Sequence, residues 1–345
     1  MMPARGKPAR IKDVAEALSL SMCTVSRILN DQLDGAKYNP DTIRRVRQAA
    51  REMGCRPDLL ARSLASGRSR TLGLCLADIA NPLFSEFAAH FERRSAAHGF
   101  STFVSNTSED PDIEAHYVNV LLDRRVDCLV ISPVSHDVPA LQQQAAGQGC
   151  ELVLFDRPAE VKGVWSVQLD NRTAMAGLTK QAIRLGHRRI GVLCGSSDDA
   201  SLLLRLAGVK DGVAAAGLDP AEALLTSDAS ATTAAAGGEG LTELLNAPNP
   251  PTVVLSLANV LSQGALQAAA QRHVTLGRDI AFAGFDDFPG AEMVQPSVTV
   301  IAVPVRRMAE LCADIACGKI TSGRRERSVR TKLIRRQSLI APAGS

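Results

Sequence analysis

Apolar residues near the start of the chain recur at the spacing of short amphipathic helices. The segment from Ile11 to Leu18 has apolar side chains at positions i, i+3, i+4 and i+7, which places them on one helix face. After a two-residue turn, a second helix is predicted from Ser21, a favourable N-cap residue, to Asn30. Its inward face is apolar and consists of Val25, Ile28 and Leu29. The pattern therefore predicts two helices joined by a very short turn.

A third helix is predicted from Asn39 and Pro40 to about Met53, because a capping residue followed by proline is typical of a helix start. Its exposed side carries Arg44, Arg45, Arg47 and Arg51. Two helices with so short a turn, the second presenting polar groups from its first turns, are typical of a helix-turn-helix that reads the DNA major groove. An ordinary three-helix bundle with a solvated basic face is the alternative.

From Thr71 onward, short continuous apolar runs alternate with amphipathic segments. The runs predict eight strands, at Leu72–Ala77, Ser101–Val104, Cys128–Ile131, Leu152–Phe155, Ile190–Cys194, Thr252–Ser256, Ile280–Gly284 and Val298–Val303. Helices are predicted between them, for example at Phe84–Ala97, Ile113–Arg124 and Asn171–Leu185. Apolar strands joined by helical crossovers favour parallel sheets that are covered on both faces. The series predicts two sheets, and the chain first crosses from one sheet to the other near Asp170. A return near Ala302–Pro304 places the last helix, Arg306–Cys317, back on the first lobe.

Composition narrows the class of protein. The 345 residues contain no apolar run near the ~20 residues that a membrane span needs. The basic N-terminus is not followed by the apolar core of a signal peptide, so a cytoplasmic protein is expected. The eight cysteines are scattered without a Cys-x-x-Cys pair, which favours buried thiols over disulfides or a metal site. Neither a metal nor a cofactor is expected.

Charge is distributed unevenly along the chain. The first 70 residues contain 14 basic and 7 acidic residues, a net charge of +7. The remaining 275 contain 25 basic and 29 acidic residues, a net charge of −4. A small basic head on a mildly acidic body is typical of a nucleic-acid binder with a separate domain for another partner.

The head also carries motifs of a known family. Asp13-Val14-Ala15, followed by Thr24-Val25-Ser26-Arg27-Ile28-Leu29-Asn30, resembles the head of lac-repressor-type (LacI/GalR) transcriptional regulators. The stretch Cys55-Arg56-Pro57-Asp58-Leu59-Leu60-Ala61-Arg62-Ser63-Leu64-Ala65-Ser66-Gly67-Arg68 is similar to the hinge segment of that family. The resemblance implies a short helix that folds when two copies meet over an operator, with Leu64 and Ala65 at the minor groove. An apolar wedge there bends the duplex. A plain linker is the alternative.

The resemblance extends over nearly the whole body. Its markers are Asn81-Pro82-Leu83-Phe84, Arg125-Val126-Asp127, Phe155-Asp156-Arg157-Pro158, Leu169-Asp170-Asn171-Arg172, Leu185-Gly186-His187-Arg188-Arg189-Ile190, Arg205-Leu206-Ala207-Gly208 and Gly284-Phe285-Asp286-Asp287. They imply an α/β two-lobed effector domain similar to periplasmic binding proteins, behind an all-α helix-turn-helix DNA-binding head. The expected domains are residues 1–57 for the head, 58–70 for the hinge helix and linker, and 71–340 for ligand binding and dimerisation.

The DNA-binding residues expected from this reading lie on the second and third helices and on the hinge. Arg27 can donate two hydrogen bonds to guanine O6 and N7, so direct base readout is assigned to it. Met22 and Cys23 are weak hydrogen-bonding groups and suit apolar contacts such as a thymine methyl. Phosphate contacts, which fix register but carry no sequence information, are expected from Thr24, Ser26, Asn30, Asn39 and Thr42, with Ser21 at the helix start.

The expected effector site lies past the carboxyl ends of the strands, where such folds bind ligands. Candidates in the first lobe are Asp78, Asn81, Phe84 and Asp156, and candidates in the second are Ser201, Arg205, Asn259 and Asp286. The resemblance makes Arg205, Asn259 and Asp286 the anchors for a sugar-like polar ligand. Two positions depart from the family: Val260 replaces a usual acidic residue, and Ala229 lies where many members have an aromatic. The identity of the effector therefore stays open.

These observations predict a homodimeric transcriptional regulator, a repressor under effector control, that binds a near-palindromic double-stranded operator in the nucleoid. An enzyme is disfavoured, because the chain has no Gly-x-x-x-x-Gly-Lys-[Ser/Thr] loop, no Gly-x-Gly-x-x-Gly after the first strand and no Gly-x-Ser-x-Gly elbow. A sugar-transport binding protein is disfavoured by the DNA-binding head and the missing signal peptide. A DNA-bending architectural protein is disfavoured by the predicted ligand cleft. No membrane partner is expected.

Overall fold

The computed structural model describes residues 9–29, 38–55, 68–159, 161–227 and 231–342. The chain separates into two compact units, Met1–Arg70 and Thr71–Ser345. The hinge residues Leu64 and Ala65, and the head residue Asn30, lie outside the described residues.

The first unit contains three helices, α1 (Ile11–Leu18), α2 (Met22–Leu29) and α3 (Pro40–Glu52), which confirms the predicted elements to within a residue or so. They pack around a small buried core that includes Val14, Val25, Ile28 and Val46. The turn after α1 is tight because Ser19 adopts a left-handed conformation (φ 54°) and donates its N–H back to Glu16. The helical spacing of the apolar residues is therefore sufficient to specify this core.

The second unit is built from two six-stranded sheets, each with its own helices, which we call the first and second lobes. The first lobe begins with β1 (Thr71–Leu76), α4 (Pro82–Ala97), β2 (Ser101–Asn106), α5 (Pro111–Asp123), β3 (Cys128–Ile131), α6 (Val138–Gly147), β4 (Glu151–Asp156) and β5 (Trp165–Leu169). A later strand, β11 (Glu326–Val329), joins this sheet, which has the order β11-β5-β4-β3-β1-β2 and is parallel throughout. Because helices cover both faces, strands such as β1 and β3 are apolar along their length.

The second lobe repeats this arrangement. It contains α7 (Asn171–Arg184), β6 (Ile190–Leu193), α8 (Ala200–Ala214), α9 (Pro220–Ala223), β7 (Leu224–Thr226), α10 (Ala234–Asn246), β8 (Val253–Ser256), α11 (Asn259–Gln271), β9 (Ala281–Phe285) and β10 (Thr299–Ala302). The last strand, β12 (Lys332–Ile334), completes this sheet, which has the order β12-β10-β9-β8-β6-β7; among the described strands of the sheet, β12 alone is antiparallel to its neighbour. Strands β4 and β9 therefore hold equivalent positions in the two sheets.

The chain passes between the lobes three times. The first two passages, at Asp170 and after Ala302, confirm the prediction, and α12 (Val305–Ala316) packs on α4 of the first lobe. There Arg94 Nε donates to Asp314 Oδ1 at 2.7 Å. The third passage joins β11 (Glu326–Val329) to β12 (Lys332–Ile334), and the backbone N–H of Thr331 donates to Asp170 Oδ1 at 2.9 Å.

All eight predicted strands are confirmed to within two residues at each end, but four more were missed. The missed strands are β5, β7, β11 and β12. Strand β7 has three residues, and the sequences of β11 and β12 are short and charged, so no apolar run marks them. Their pairing depends on neighbouring strands already in place. Within the described ranges, no helix is long and apolar enough to cross a membrane.

The cysteine prediction needs one correction. Six cysteines are buried and Cys194 is half-buried, but Cys23 is exposed on α2. Burial raises the pKa of the Cys75 thiol to about 12, which is the behaviour expected of an inert core cysteine. Cys23 lies on a helix face that has no core to cover it.

Close contact between α10 and α11 depends on glycine. A methyl group at Gly264 would overlap the carbonyl oxygen of Ala234. A backbone atom cannot relieve the overlap by changing rotamer, as a side chain can. We therefore expect Gly264→Ala to lower the free energy of unfolding by about 1–3 kcal/mol, the range for overpacking. Urea denaturation followed by circular dichroism measures this change.

The matched control is Gly177→Ala on α7. Within the described part of the chain, nothing lies within 4 Å of the position a Cβ would take there. This variant is expected to be neutral or more stable by up to about 1 kcal/mol, because alanine favours the helix over glycine. Equal losses in both variants would contradict the close packing at Gly264.

Candidate DNA-binding head and ligand cleft

The start of α2 is fixed by its own side chains. Ser21 Oγ accepts a hydrogen bond from the backbone N–H of Thr24 at 3.1 Å, and the two hydroxyl oxygens lie 2.9 Å apart. This cap satisfies one of the N–H groups that a helix start leaves without an intrahelical partner. The side chains of Ser21 and Thr24 are therefore held in place before any ligand arrives.

The first turns of α2 present an exposed surface. Met22 is 57% exposed, and Cys23 and Arg27 are also exposed, whereas Ser26 is half-buried. Within the head, these residues lie together on one face of α2 because Val25 and Ile28 occupy the core. The side chains at the start of α2 are therefore accessible to another molecule.

Arg27 has a neighbour that sequence reasoning missed. A hydrogen bond with the Tyr38 phenol raises the pKa of Arg27, and Cys23 contributes in the same direction. Tyr38 is half-buried against the head core and stands just before α3, so it can orient the guanidinium. The only signal in the sequence was that Tyr38 is one of two tyrosines in the chain.

The start of α3 carries the remaining predicted head residues. Asn39 caps the helix, since its Oδ1 accepts from the backbone N–H of Asp41 at 2.9 Å. Thr42 is half-buried in the first turn, and Arg44 pairs with Asp41 at 2.7 Å. The predicted basic face is exposed at Arg44, Arg45, Arg47 and Arg51.

In the second unit, the two lobes enclose a cavity of about 80 Å³ at the carboxyl ends of their strands. Seven of the eight predicted effector residues line it: Asp78, Asn81, Phe84, Asp156, Ser201, Arg205 and Asp286. The eighth, Asn259, is fully buried and donates from Nδ2 to Asn81 Oδ1 at 3.0 Å across the cleft. The topology therefore brings together residues that are up to 208 positions apart in sequence.

Asp156 and Asp286 hold equivalent places in the two lobes. Each directly follows a phenylalanine at the end of an equivalent strand, β4 or β9, and each adopts a left-handed conformation, with φ 64° and 66°. Non-glycine residues held in this conformation carry backbone strain and are enriched at functional sites. Burial raises the pKa of Asp156 to about 6 and also raises the pKa of Asp286.

Arg205, on the second turn of α8, is held by the second lobe itself. It is 4% exposed, and it donates from Nε to Asn171 Oδ1 at 2.8 Å and from Nη1 to the Leu257 carbonyl at 2.8 Å. Asp286 Oδ2 lies 3.5 Å from Nη1, and the guanidinium stacks 3.7 Å from the centre of the Phe285 ring. These contacts fix its orientation toward the cavity.

Several buried polar atoms around the cavity lack a partner within the described part of the chain. They are Asp156 Oδ1, Arg157 Nε, Asn171 Nδ2, Ser201 Oγ, Asn259 Oδ1 and Asp286 Oδ1. A buried polar group without a hydrogen bond costs about 1–3 kcal/mol, so such groups are rare unless a ligand or water completes them. Six of them around one cleft indicate a site for a polar molecule.

A cross-cleft ion pair was not predicted from the sequence. Arg157 in the first lobe contacts Glu109 at 2.7 Å and Asp199 of the second lobe at 3.1 Å. Burial raises the pKa of Asp199, but the Arg157 and Arg205 guanidiniums outweigh it and the net pKa is lowered. The sequence offered one clue to this pair, because Arg157 directly follows the predicted site residue Asp156. Asp199 is 42 residues further along the chain, and its local sequence indicates only a helix cap.

Comparisons with known proteins agree with this architecture. Residues 179–339 match the family of periplasmic binding protein-like domains. The HTH-type transcriptional regulator AscG of Escherichia coli (strain K12) is 29% identical over 347 residues, which covers 96% of this chain and 98% of AscG. The relatives found are transcriptional regulators and not enzymes.

Two solved structures have the same fold. The lac repressor dimer bound to operator and the anti-inducer ONPF has a TM-score of 0.82 at 22% identity, covering 97% of this chain and 100% of that one. A LacI family transcriptional regulator from Enterococcus faecium with bound ribose has a TM-score of 0.72 at 21% identity, covering 79% of this chain and 99% of that one. At these identities the structural similarity shows the fold, and the predicted fold class is confirmed.

Proposed function

We propose that the chain is a transcriptional regulator of the LacI/GalR family, and that it is a repressor whose hold on a specific operator is controlled by a small polar effector. The single observation that carries the effector part is the group of six buried polar atoms without partners, within the described residues, around the interlobe cavity. The DNA-binding part rests on the family and on the exposed face of α2.

In this proposal the head reads DNA through α2. Arg27 contacts a guanine, while Met22 and Cys23 make apolar contacts with base edges. The N-terminal ends of α2 and α3 and the arginines of α3 contact phosphates, which fix the register. The proposed domains are those expected from the sequence, residues 1–57, 58–70 and 71–340, with Leu64 in the minor groove.

Effector control is proposed to act through the angle between the lobes. The cavity of about 80 Å³ is smaller than the ~300–1,000 Å³ of ordinary small-molecule pockets, so a sugar-sized ligand must displace the lobes. The contacts that resist displacement are the Arg157–Asp199 ion pair and the Asn81–Asn259 hydrogen bond. A ligand that binds one lobe angle more tightly shifts the population toward it, and can shift it only by that difference in affinity.

The effector site also supports a polar, sugar-like ligand. Carboxylate and amide oxygens such as those of Asp286 and Asn259 accept hydrogen bonds from hydroxyl groups, and Ser201 can accept or donate. The LacI family regulator from Enterococcus faecium, which has the same fold, was solved with bound ribose. The anchors Arg205, Asn259 and Asp286 all belong to the second lobe, so the ligand would bind there first and draw in Asp156 from the first.

A homodimer is part of the proposal. Edge strands β2 and β7 occupy the same end of their respective sheets, and both expose apolar side chains: Phe103 and Val104 on β2 and Leu225 on β7. Edge strands with exposed apolar residues tend to be covered by another chain. Two heads would then reach half-sites about one helical turn apart on a near-palindromic operator.

The test is selection of binding sites from random duplex DNA with the purified full chain. We expect a near-palindromic motif to be enriched within a few rounds, because two identical heads read two half-sites. The selected duplex should bind about 10³-fold or more tightly than random DNA. Absence of any enriched motif would contradict sequence-specific DNA binding, and an asymmetric motif would contradict the homodimer.

A further inference from the structure

The interlobe cavity is rich in negative charge. Five carboxylates line it and only two guanidiniums, namely Asp78, Glu109, Asp156, Asp199 and Asp286 against Arg157 and Arg205. With all of these groups ionised the lining has a net charge of −3. A cavity with this charge disfavours a sugar phosphate or a carboxylate ligand, because like charges repel strongly where water is excluded.

Both guanidiniums are held by other groups, although Arg157 Nε has no hydrogen-bond partner among the described residues. Arg157 contacts Glu109 and Asp199, and its Nη1 also lies 3.4 Å from the Pro133 carbonyl. Arg205 is held by Asn171, the Leu257 carbonyl and Asp286. Neither arginine forms an ion pair with Asp156 in the described residues. The protein therefore supplies no contact cation for that carboxylate.

Asp156 is consequently a buried acid that its own chain does not neutralise. It is 7% exposed, and in the described ranges its Oδ1 has no hydrogen-bond partner. The pKa of this carboxyl is raised to about 6, chiefly by burial and also by the nearby carboxylates Asp199 and Asp286, which together outweigh the lowering effect of Arg205 and Arg157. A ligand that brings a positive charge to Oδ1 would remove this cost.

The remaining unpartnered atoms require both donors and acceptors from a ligand. Asp286 Oδ1 and Asn259 Oδ1 accept hydrogen bonds, Asn171 Nδ2 and Arg157 Nε donate, and Ser201 Oγ can do either. All of them except Arg157 belong to the second lobe, opposite Asp156. The complementary molecule therefore has a cationic donor at one end and hydroxyl groups at the other.

The geometry points to a small amine-bearing polyol, such as an amino sugar or amino alcohol, whose ammonium binds Asp156 and whose hydroxyls bind Asp286, Asn259 and Ser201. This inference rests on the proposed function, because it names the chemical class of effector that the regulator takes. An ammonium supplies three donors and a full charge, whereas a hydroxyl in the same place supplies one donor and no charge.

The experiment uses the full chain and matched pairs of compounds that differ by amine against hydroxyl. The pairs are glucosamine and glucose, galactosamine and galactose, and 1-amino-1-deoxysorbitol and sorbitol, with glucose 6-phosphate as the anionic comparison. Thermal shift ranks them and isothermal titration calorimetry measures affinity at pH 7.5. We expect at least one amine to bind about 10-fold or more tightly than its hydroxyl partner, as a charged hydrogen bond is about 1.4 kcal/mol stronger. A panel in which no amine binds, or in which the hydroxyl or phosphate compound binds as well, overturns the inference.

Two variants locate the ammonium. Asp156→Asn keeps the shape of the side chain and removes an unneutralised charge, so the protein should fold, and the preference for the amine should fall below about 3-fold. Asp123→Asn is the control, because it removes a carboxylate from an exposed position of the same lobe, outside the cavity lining. An unchanged preference in Asp156→Asn, or an equal loss in Asp123→Asn, would contradict the placement.

Operator binding separates this inference from the proposed function. If a neutral polyol alone binds and changes the affinity for the selected operator, effector control stands and the ligand class is wrong. If an amine binds with the expected preference but operator affinity does not change, the ligand class stands and the proposed control fails.

Discussion

Replacing Arg205 with leucine is expected to lower the free energy of unfolding by about 3–5 kcal/mol, the cost of removing one partner of a buried ion pair. The variant leaves Asp286, which is 5% exposed, with a buried charge and deprives Asn171 Oδ1 and the Leu257 carbonyl of their donor. It also removes the anchor that orients the second-lobe half of the cavity. The thermal shift produced by any compound that binds the parent protein should therefore be lost.

The loss of stability should depend on pH in a defined direction. Burial already raises the pKa of Asp286, and Arg205 is the group that holds it down. Without the arginine the folded-state pKa rises further above the unfolded value of about 3.9. A raised folded-state pKa costs stability as pH increases from the unfolded value through the folded one. The difference between parent and variant should therefore be smaller at pH 5 than at pH 8 in urea denaturation.

A double variant supplies the control. Arg205→Leu combined with Asp286→Asn removes both charges and should recover part of the lost stability and most of its pH dependence, because no uncompensated charge stays buried. A loss of the same size at both pH values, or no recovery in the double variant, would show that the Arg205–Asp286 pair does not carry the effect.

Arg27→Ala is expected to weaken binding to the selected operator by about 1–3 kcal/mol, roughly 5- to 150-fold, and to relax the preference at one base pair in each half-site. The reason is that a guanidinium can donate two hydrogen bonds to one guanine, which alanine cannot replace. Competition binding with the selected operator, its single-base variants and random DNA measures both effects at fixed salt.

Arg44→Ala is the matched control on the exposed face of α3. Arg44 already pairs with Asp41, so at most it contacts phosphate. Its removal should therefore weaken binding to the operator and binding to random DNA to a similar extent. Tyr38→Phe removes the hydrogen bond to Arg27 and should give a smaller loss in the same direction. An unchanged ratio of operator to random binding in Arg27→Ala would refute base readout by this residue.

Much of the candidate cleft could be predicted because the carboxyl ends of parallel strands meet at one edge. Asp156 and Asp286 each follow a predicted apolar strand, so the sequence placed both of them at the expected cleft. The resemblance to the LacI/GalR family placed Arg205 and Asn259 at the same expected effector site. The local sequence could not predict the hydrogen-bond partners of these side chains. Arg205 donates to Asn171 and Leu257, which are 34 and 52 residues away in the chain.

The sequence by itself determined the three head helices and eight of the strands, because helical spacing, continuous apolar runs and caps such as Ser21 and Asn39 act over a few residues. Tertiary structure alone decided the third passage between lobes, the contact of Tyr38 with Arg27 and the pairing of Arg157 with Asp199. It also decided that Asp156 is buried without a neutralising partner in the described residues. Charge compensation depends on distance and burial after the lobes have closed, and no local periodicity encodes either quantity.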